Sequence, residues 1–179
     1  MNDARRHPKH DRRRGKLASP RSTTITVYLK SVGPPPECVA DFDIVTTLKT
    51  SGGGHNPPII FQNGGYDGFD ITFDLVDLTN NGAGSGYRFP KNSDDAVWSQ
   101  IGTTCPLTPI SDVFTNVKVQ GPKKLTVFNE NPDVGNNEGQ GYFQYTLNVT
   151  TDKNGNGPPY VHLDPGGINM NGGSGFNQQ

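Results

Sequence analysis

The stretch "GFDITFDLVD" at residues 68–77 decides the fold class. It alternates apolar and polar side chains, with Phe69, Ile71, Phe73 and Leu75 on one side and Asp70, Thr72 and Asp74 on the other. A period of two residues is typical of a β-strand with one buried face and one wet face. Two more stretches, "TTITVYLK" (23–30) and "GYFQYTLNVTT" (141–151), alternate in the same way. The chain therefore contains at least three half-buried strands.

Weaker strand candidates lie between these three, at 39–47, 58–62, 112–120, 124–130 and 159–164. The segments that join them are rich in Gly and Pro, of which the chain has 23 and 15. Such a composition suits turns between strands and opposes helices. Only "NSDDAVWSQIG" (92–102) suits a short helix, with Ser93 as its cap. We predict an all-β fold, an antiparallel immunoglobulin-like β-sandwich of about seven to nine strands.

Charge divides the chain into a basic arm and an acidic domain. Residues 1–21 hold eight Lys or Arg and two Asp, which gives a net charge of +6. The other 158 residues hold eight Lys or Arg and fifteen Asp or Glu, which gives −7. We predict a disordered basic arm over 1–21, a sandwich domain over 22–168 and a disordered Gly/Asn-rich tail over 169–179, with loose chain from 166 onward.

The arm and the absence of long apolar runs limit the partners that we expect. A basic arm attracts nucleic acid non-specifically, but a solvated tail is the interpretation we favour, so nucleic acid is not an expected partner. Eighteen consecutive apolar residues occur nowhere, so no membrane partner is expected. Since residues 1–21 contain no apolar leader stretch, we expect a cytoplasmic protein.

The two cysteines, Cys38 and Cys105, are too few for a disulfide scaffold. Without a secretory leader we expect two separate reduced thiols, although pairing in an oxidising compartment stays open.

The segment "DKNGNG" (152–157) has the spacing of the first half of a calcium loop. In such a loop positions 1, 3 and 5 supply oxygens and a glycine follows at position 6, which makes Asp152, Asn154 and Asn156 candidate metal ligands. Position 12 should be an acid but is Leu163. A hairpin closed by an Asn-Gly turn explains the same letters, and we favour it over calcium, the only candidate cofactor.

Acidic residues on the predicted outer faces are the second candidate site. Asp41 and Asp43 share one face, and Asp70 and Asp74 share another. Brought together, such side chains hold a hard cation or a sugar, and a glycosidase needs two of them about 5 to 10 Å apart. A solvated sheet face is the interpretation that we favour.

The histidines provide no catalytic assignment. His162 and Asp164 face the same way on one strand, an arrangement that can orient a base. No serine or cysteine can be assigned to them as nucleophile, and His55 lies alone in a glycine-rich loop. We interpret them as surface histidines and assign no catalytic residue.

The end of the domain resembles the closing strands of the bacterial DP-EP family. The resemblance rests on "YFQYTLNVTTDKNG" (142–155) and "VHLDPGGINMNGG" (161–173), which join a Tyr-containing strand, a polar turn and an Asp164-Pro165 pair. The family contains small proteins of largely uncharacterised function. The resemblance implies an immunoglobulin-like β-sandwich and brings no catalytic residues.

We therefore expect a non-enzymatic binding or interaction module whose ligand is unknown. Three loops, 51–58, 129–139 and 152–159, are predicted to form its contact surface at one end of the sandwich. The partner is then a protein or a small molecule such as a carbohydrate. The alternative is a carbohydrate- or cation-handling domain that uses the acidic faces or the 152–157 loop, with enzymatic activity and calcium dependence both left open.

Overall fold

The computed structural model describes residues 19–34, 39–63, 68–130, 140–156 and 158–171. These parts of the chain contain ten strands and one helical turn, in the order β1 (Arg21–Val32), β2 (Ala40–Thr46), β3 (Ile59–Asn63), β4 (Phe69–Asp77), α1 (Ser93–Ala96), β5 (Val97–Ile101), β6 (Phe114–Gly121), β7 (Lys124–Asn129), β8 (Gln140–Val149), β9 (Val161–Leu163) and β10 (Gly166–Asn171).

The strands form two sheets around one core. The first sheet has the order β2-β1-β4-β7-β6, and the second has the order β3-β10-β8-β5 with β9 also paired to β8. The alternation predicted for 68–77 is confirmed, since Phe69, Ile71, Phe73 and Leu75 are all buried. Aromatic rings from both sheets meet in the core, where Phe73 and Tyr145 have ring centroids 5.7 Å apart. The predicted all-β fold is confirmed at this level.

The prediction that all strands pair antiparallel is wrong, because both sheets are mixed. β1 pairs with β4 in parallel from Arg21 to Leu29, and β3 pairs with β10 in parallel. Parallel neighbours need a long connection. Between β1 and β4 the chain has room for one, since it forms β2 in the first sheet and β3 in the second before it returns. Strand alternation cannot show this crossover.

The predicted loose tail is also wrong over Gly166–Asn171, which form β10 between β3 and β8. Composition suggested too little apolar surface, but this strand packs closely through a glycine. A Cβ on Gly167 would lie 2.2 Å from Cζ of the buried Phe143 ring. The absence of a side chain therefore lets the backbone lie on the ring. The arm at 1–18 and the tail at 172–179 fall outside the described residues.

The predicted helix over 92–102 is a single turn, and its cap is Asn92 instead of Ser93. Asn92 Oδ1 accepts a hydrogen bond from the Asp94 amide at 3.3 Å. The chain becomes extended at Val97 and continues as β5 against β8. Within the described residues, no helix is long and apolar enough to cross a membrane.

Candidate functional site

A groove of about 570 Å³ lies on the outer face of the first sheet, across β4, β7 and β6. We call it the sheet groove. Its polar lining residues are Asp70, Thr72, Asn116, Lys118, Gln120 and Thr126, and its aromatic lining residue is Phe128. Carboxylate, hydroxyl, amide and ammonium groups are therefore presented together with one aromatic ring.

The strand register explains why these side chains are neighbours. Asp70 pairs with Phe128 and Thr72 pairs with Thr126 between β4 and β7, and Thr126 pairs with Lys118 between β7 and β6. Directly paired residues in a sheet have Cβ atoms about 5 Å apart. The groove is thus a continuous surface across three hydrogen-bonded strands.

A β-bulge at Asn116 turns the outer half of β6 toward the groove. The register with β7 shifts between Thr115 and Lys118, and Asn116 has a φ of +51°. Without the bulge, Phe114 and Lys118 would face the same side, because they are four residues apart. With it, Phe114 is completely buried while Asn116 and Lys118 are exposed. Asparagine tolerates this left-handed backbone better than most residues, and bulges often redirect side chains at sites.

The charges in the sheet groove are free to meet a ligand. Among the described residues, Asp70 and Lys118 have no ion-pair partner. Asp74, on the same face of β4, differs because its Oδ1 lies 3.5 Å from Lys124 Nζ. Inside the groove, the Gln120 amide donates to the Thr126 hydroxyl at 3.2 Å. The Thr126 hydroxyl is directed in turn at the Lys118 carbonyl at 3.5 Å, so further hydrogen-bonding capacity remains mainly on the Gln120 amide.

The four predicted acidic residues do not converge on one site. β1 lies between β2, which carries Asp41 and Asp43, and β4, which carries Asp70 and Asp74. Strands two places apart are separated by roughly 10 Å. Two of the four acids have an ion-pair partner. Lys30 Nζ lies 2.7 Å from Asp43 Oδ2, and Lys124 Nζ lies beside Asp74. Of the four, Asp70 alone lines the sheet groove.

His55 lies between the two acids of β2. Its Nε2 is 3.4 Å from Asp41 Oδ1 and its Nδ1 is 3.6 Å from Asp43 Oδ1. The loop that carries it is held to β2 by Asn56, whose side chain bonds the backbone of Ile44 and Phe42. Within the described residues, no three His, Cys, Asp or Glu side chains form a group that could hold a metal.

His162 and Asp164 do not form a pair, although they lie two residues apart. His162 Nδ1 is 2.6 Å from Asn148 Oδ1, and the His162 ring packs against Trp98 with centroids 5.5 Å apart. Asp164 Oδ1 instead accepts from the Thr146 hydroxyl at 2.6 Å. Each group therefore has a structural partner on the outer face of the second sheet.

The 152–157 segment lies in a hairpin, because β8 and β9 pair antiparallel on either side of it. Asp152 closes the turn: its Oδ1 accepts from the Asn154 amide at 3.0 Å and its Oδ2 from the Asn156 amide at 2.9 Å. These two backbone hydrogen bonds hold the pKa of Asp152 below its usual value. Gly157 is outside the described residues, and calcium ligation by Asp152, Asn154 and Asn156 stays a prediction.

Two of the three loops predicted as one contact surface are joined to opposite ends of the same strand, β8. Segment 129–139 precedes β8 and segment 152–159 follows it. A ten-residue strand separates its ends by about 30 Å, so the last residue of the first segment and the first residue of the second lie about that far apart. Residues 131–139 lie outside the described part of the chain.

Of the two cysteines, Cys38 also lies outside the described residues, so the predicted separate thiols stay a prediction. Cys105 has its Sγ 3.8 Å from Gln144 Oε1. Burial, and then the charge of Asp164, raise the pKa of this thiol.

Comparison with known proteins finds no matching family model and no matching curated protein. Among solved structures, the chain is similar to the inclusion body protein PixA from Burkholderia cenocepacia, with a TM-score of 0.36 and 12% identity. The match covers 86% of this chain and 95% of that one. A likeness of this degree carries no argument about function, and the resemblance to the DP-EP family stays a prediction.

The sequence predicted the strands of the sheet groove but not most of the side chains that line it. Thr126 and Phe128 alternate with buried Leu125 and Val127 in "KLTVFNE", so their outward direction was readable. The direction of Asn116 was not, since a bulge leaves no period in the sequence. The sequence pattern also does not indicate which outer face of the sandwich stays uncovered.

Proposed function

We propose that the protein is a non-enzymatic binding module that holds a polyhydroxylated ligand, of the kind represented by an oligosaccharide, in the sheet groove. The observation that carries this proposal is the set of polar side chains around Phe128 on three adjacent strands, in which Asp70 and Lys118 have no ion-pair partner among the described residues. Ligand sites combine apolar or aromatic surface with a few polar groups that set orientation. A sugar matches this combination because its hydroxyls both donate and accept, while its C–H faces pack on a ring.

The setting of the groove favours recognition with little reorganisation. Its floor is a hydrogen-bonded sheet whose inner side is the core, where Ile71, Phe73 and Leu125 are buried. A rigid floor reduces the entropy that binding must overcome. The Phe128 ring packs against the backbone of Gly68, where a Cβ would lie only 2.7 Å from the ring's Cζ. This close contact holds the ring in place.

Binding without catalysis is the form of this function that the lining supports. Glycoside hydrolysis uses two carboxyl groups about 5 to 10 Å apart. Among the described lining residues of the sheet groove, Asp70 is the one carboxylate. We assign it the role of a hydrogen-bond acceptor for ligand hydroxyls.

The test is calorimetric titration with a panel of soluble gluco-, manno- and galacto-oligosaccharides. We expect millimolar or tighter binding of at least one, and about tenfold weaker binding for Phe128→Ala, since aromatic packing contributes on the order of 1 kcal/mol. Tyr142→Ala is the matched control, because Tyr142 is 45% exposed and lies on the other sheet. Gln120→Ala, at an exposed position, repeats the test without removing packed surface.

No binding to any oligosaccharide would overturn the proposal. Binding that survives in both Phe128→Ala and Gln120→Ala would also overturn it, because the ligand would then lie elsewhere on the molecule.

A further inference from the structure

A second cavity, of about 320 Å³, lies where three segments of the chain meet: residues 88–91, the β6–β7 hairpin and the loop between β8 and β9. We call it the basic pocket. Arg88, Lys91 and Lys153 line it, together with the side-chain amides of Gln120 and Asn154. None of its described lining residues is acidic. This is unexpected in a domain whose residues 22–179 carry eight basic and fifteen acidic side chains.

Hydrogen bonds between the three segments fix the walls of the basic pocket. Arg88 and Thr150 exchange both backbone hydrogen bonds at 2.9 Å, and the Lys91 amide donates to the Gly155 carbonyl at 2.9 Å. The Phe89 amide donates to the Pro122 carbonyl at the same distance. The pocket therefore exists before any ligand arrives, which lowers the entropy cost of binding.

Gly155 allows the closest of these approaches. Its φ is +66°, and a Cβ there would lie 3.1 Å from the Lys91 amide nitrogen. The predicted hairpin turn, whose spacing also matches the first half of a calcium loop, thus brings its own lysine, Lys153, to the side of Arg88 and Lys91.

The cations of the basic pocket have no carboxylate at ion-pair distance among the described residues. Lys30, Lys123 and Lys124 each have a carboxylate at ion-pair distance, whereas Arg88, Lys91 and Lys153 have none among the described residues. The Arg88 guanidinium donates through Nη1 to the Lys153 carbonyl at 2.8 Å. Its Nε is buried and has no hydrogen-bond partner among the described residues.

Two neighbouring groups reflect the positive charge of this region. Asp152, the acid of the same loop, uses both carboxylate oxygens on backbone amides, and the Arg88 charge adds to the lowering of its pKa that these hydrogen bonds cause. Burial lowers the pKa of Lys123, and the Arg88 charge lowers it further against the opposing effect of Asp77. Three cations without carboxylate partners in a preformed pocket are the arrangement that an anion stabilises.

We propose that the basic pocket binds a small molecule through a tetrahedral oxyanion, a phosphoryl or sulfuryl group. Arginine holds such a group through two parallel N–H donors, and lysines add point charge. The cavity is large enough for the oxyanion and a small organic group, since small-molecule pockets begin at about 300 Å³. This site shares only Gln120 with the sheet groove, so the two proposals stand or fall separately.

The experiment is calorimetric titration of the full chain with inorganic phosphate, sulfate and glucose 1-phosphate, at constant ionic strength set with chloride. We expect saturable binding of at least one. The double variant Lys91→Gln/Lys153→Gln should weaken it tenfold or more, because two of three cations are lost. Lys49→Gln is the matched control: it removes one exposed charge outside the pocket and should leave the Kd unchanged.

Glucose 1-phosphate binding more tightly than phosphate would identify a phosphorylated organic ligand, and equal binding would identify the free oxyanion. Arg88→Gln should abolish binding, but it also removes the hydrogen bond to Lys153, so the lysine variant decides the test if Arg88→Gln unfolds. Absence of saturable binding, or an equal loss in Lys49→Gln, would overturn the proposal, because the attraction would then be diffuse.

Discussion

The two sheets of the sandwich present outer faces of opposite character. On the first sheet, Thr126 stands half-buried in an open groove. On the second sheet, Thr146 also points outward but is completely buried, because other parts of the chain lie over it. Its hydroxyl is 2.9 Å from the Pro106 carbonyl oxygen and 2.6 Å from Asp164 Oδ1.

Neighbouring parts of the second face are covered in the same way, although Tyr142 at one end of β8 is 45% exposed. Asn148 is completely buried and donates to the Asp95 carbonyl in α1 at 2.7 Å, while Trp98 Nε1 donates to the Asp94 carbonyl at 2.9 Å. Polar residues on the covered face thus stabilise the fold, and those on the open face are available to a ligand. The same residue types therefore have two roles, and the burial of the side chain decides which role applies.

The largest effect is expected inside the covered sheet, for Gly167→Ala. The new Cβ would lie 2.2 Å from Phe143 Cζ, and Phe143 cannot move away because it is fully buried. We expect a loss of about 3 kcal/mol in the free energy of unfolding, measured by urea denaturation. Gly53→Ala is the control, since nothing lies within 4 Å of its Cβ position. Equal stability of the two variants would contradict the packing of β10.

Asp77 provides the next comparison, with Asp70 on the same strand. The Asp77 side chain is only 4% exposed, and its Oδ2 accepts from the amides of Ser85, Gly86 and Tyr87 at 2.9 to 3.0 Å. An asparagine leaves an oxygen for only some of these donors. We expect Asp77→Asn to cost about 2 kcal/mol and Asp70→Asn to leave stability within about 0.5 kcal/mol, both in urea.

Acid should act through the same group. Burial alone raises the pKa of Asp77, but hydrogen bonds from Thr79 and Tyr87 and the charge of Lys123 outweigh it, so the pKa lies below its usual 3.8. A lowered folded-state pKa adds stability that is complete above pH 3.8 and is lost as the pH falls through the folded value. Unfolding titrations below pH 3.8 should show a smaller acid-dependent loss in Asp77→Asn than in the parent. Identical curves would show that Asp77 is not linked to acid unfolding.

A smaller change in stability is expected when a threonine is replaced by valine on the outer face of each sheet. Thr146→Val removes the one hydroxyl proton that Asp164 and the Pro106 carbonyl share, and it should cost about 1 to 2 kcal/mol. Thr126→Val should change stability by less than about 0.5 kcal/mol while weakening oligosaccharide binding. Thermal melts and calorimetry measure the two quantities. If both variants lose the same stability, the distinction between covered and open faces fails.

The smallest effect is expected from calcium. Because the Asp152 carboxylate already accepts two backbone amides, we expect excess calcium to leave the melting temperature where chelator leaves it. A ligand at about 100 times its Kd would stabilise by roughly 2.7 kcal/mol. A rise of that size, abolished by Asp152→Ala, would make residues 152–156 a cation site after all.

The strands were readable from the sequence where side chains alternate. The inward rows of β1 and β4 follow directly from the period of two, and so do the outward positions of Asp70 and Thr126. The sequence did not predict β10 because this strand packs through Gly167, which has no side chain. A reading of composition takes a glycine as a loss of apolar surface, whereas here it allows close packing. The cap at Asn92 was missed by one residue, which is within the usual uncertainty of helix ends.

By itself, the sequence determined that this protein is a β-structure with one wet and one dry side to its main strands, because a strand's side chains alternate whatever its neighbours are. It also set the acidic balance of residues 22–179 and the turn at Asp152. Only the tertiary structure decided that β1 and β4 run parallel, that part of one outer face is covered while the other is open, and that Arg88, Lys91 and Lys153 share a pocket. These properties depend on contacts between residues far apart in the chain, and the local alternation of side chains does not predict such contacts.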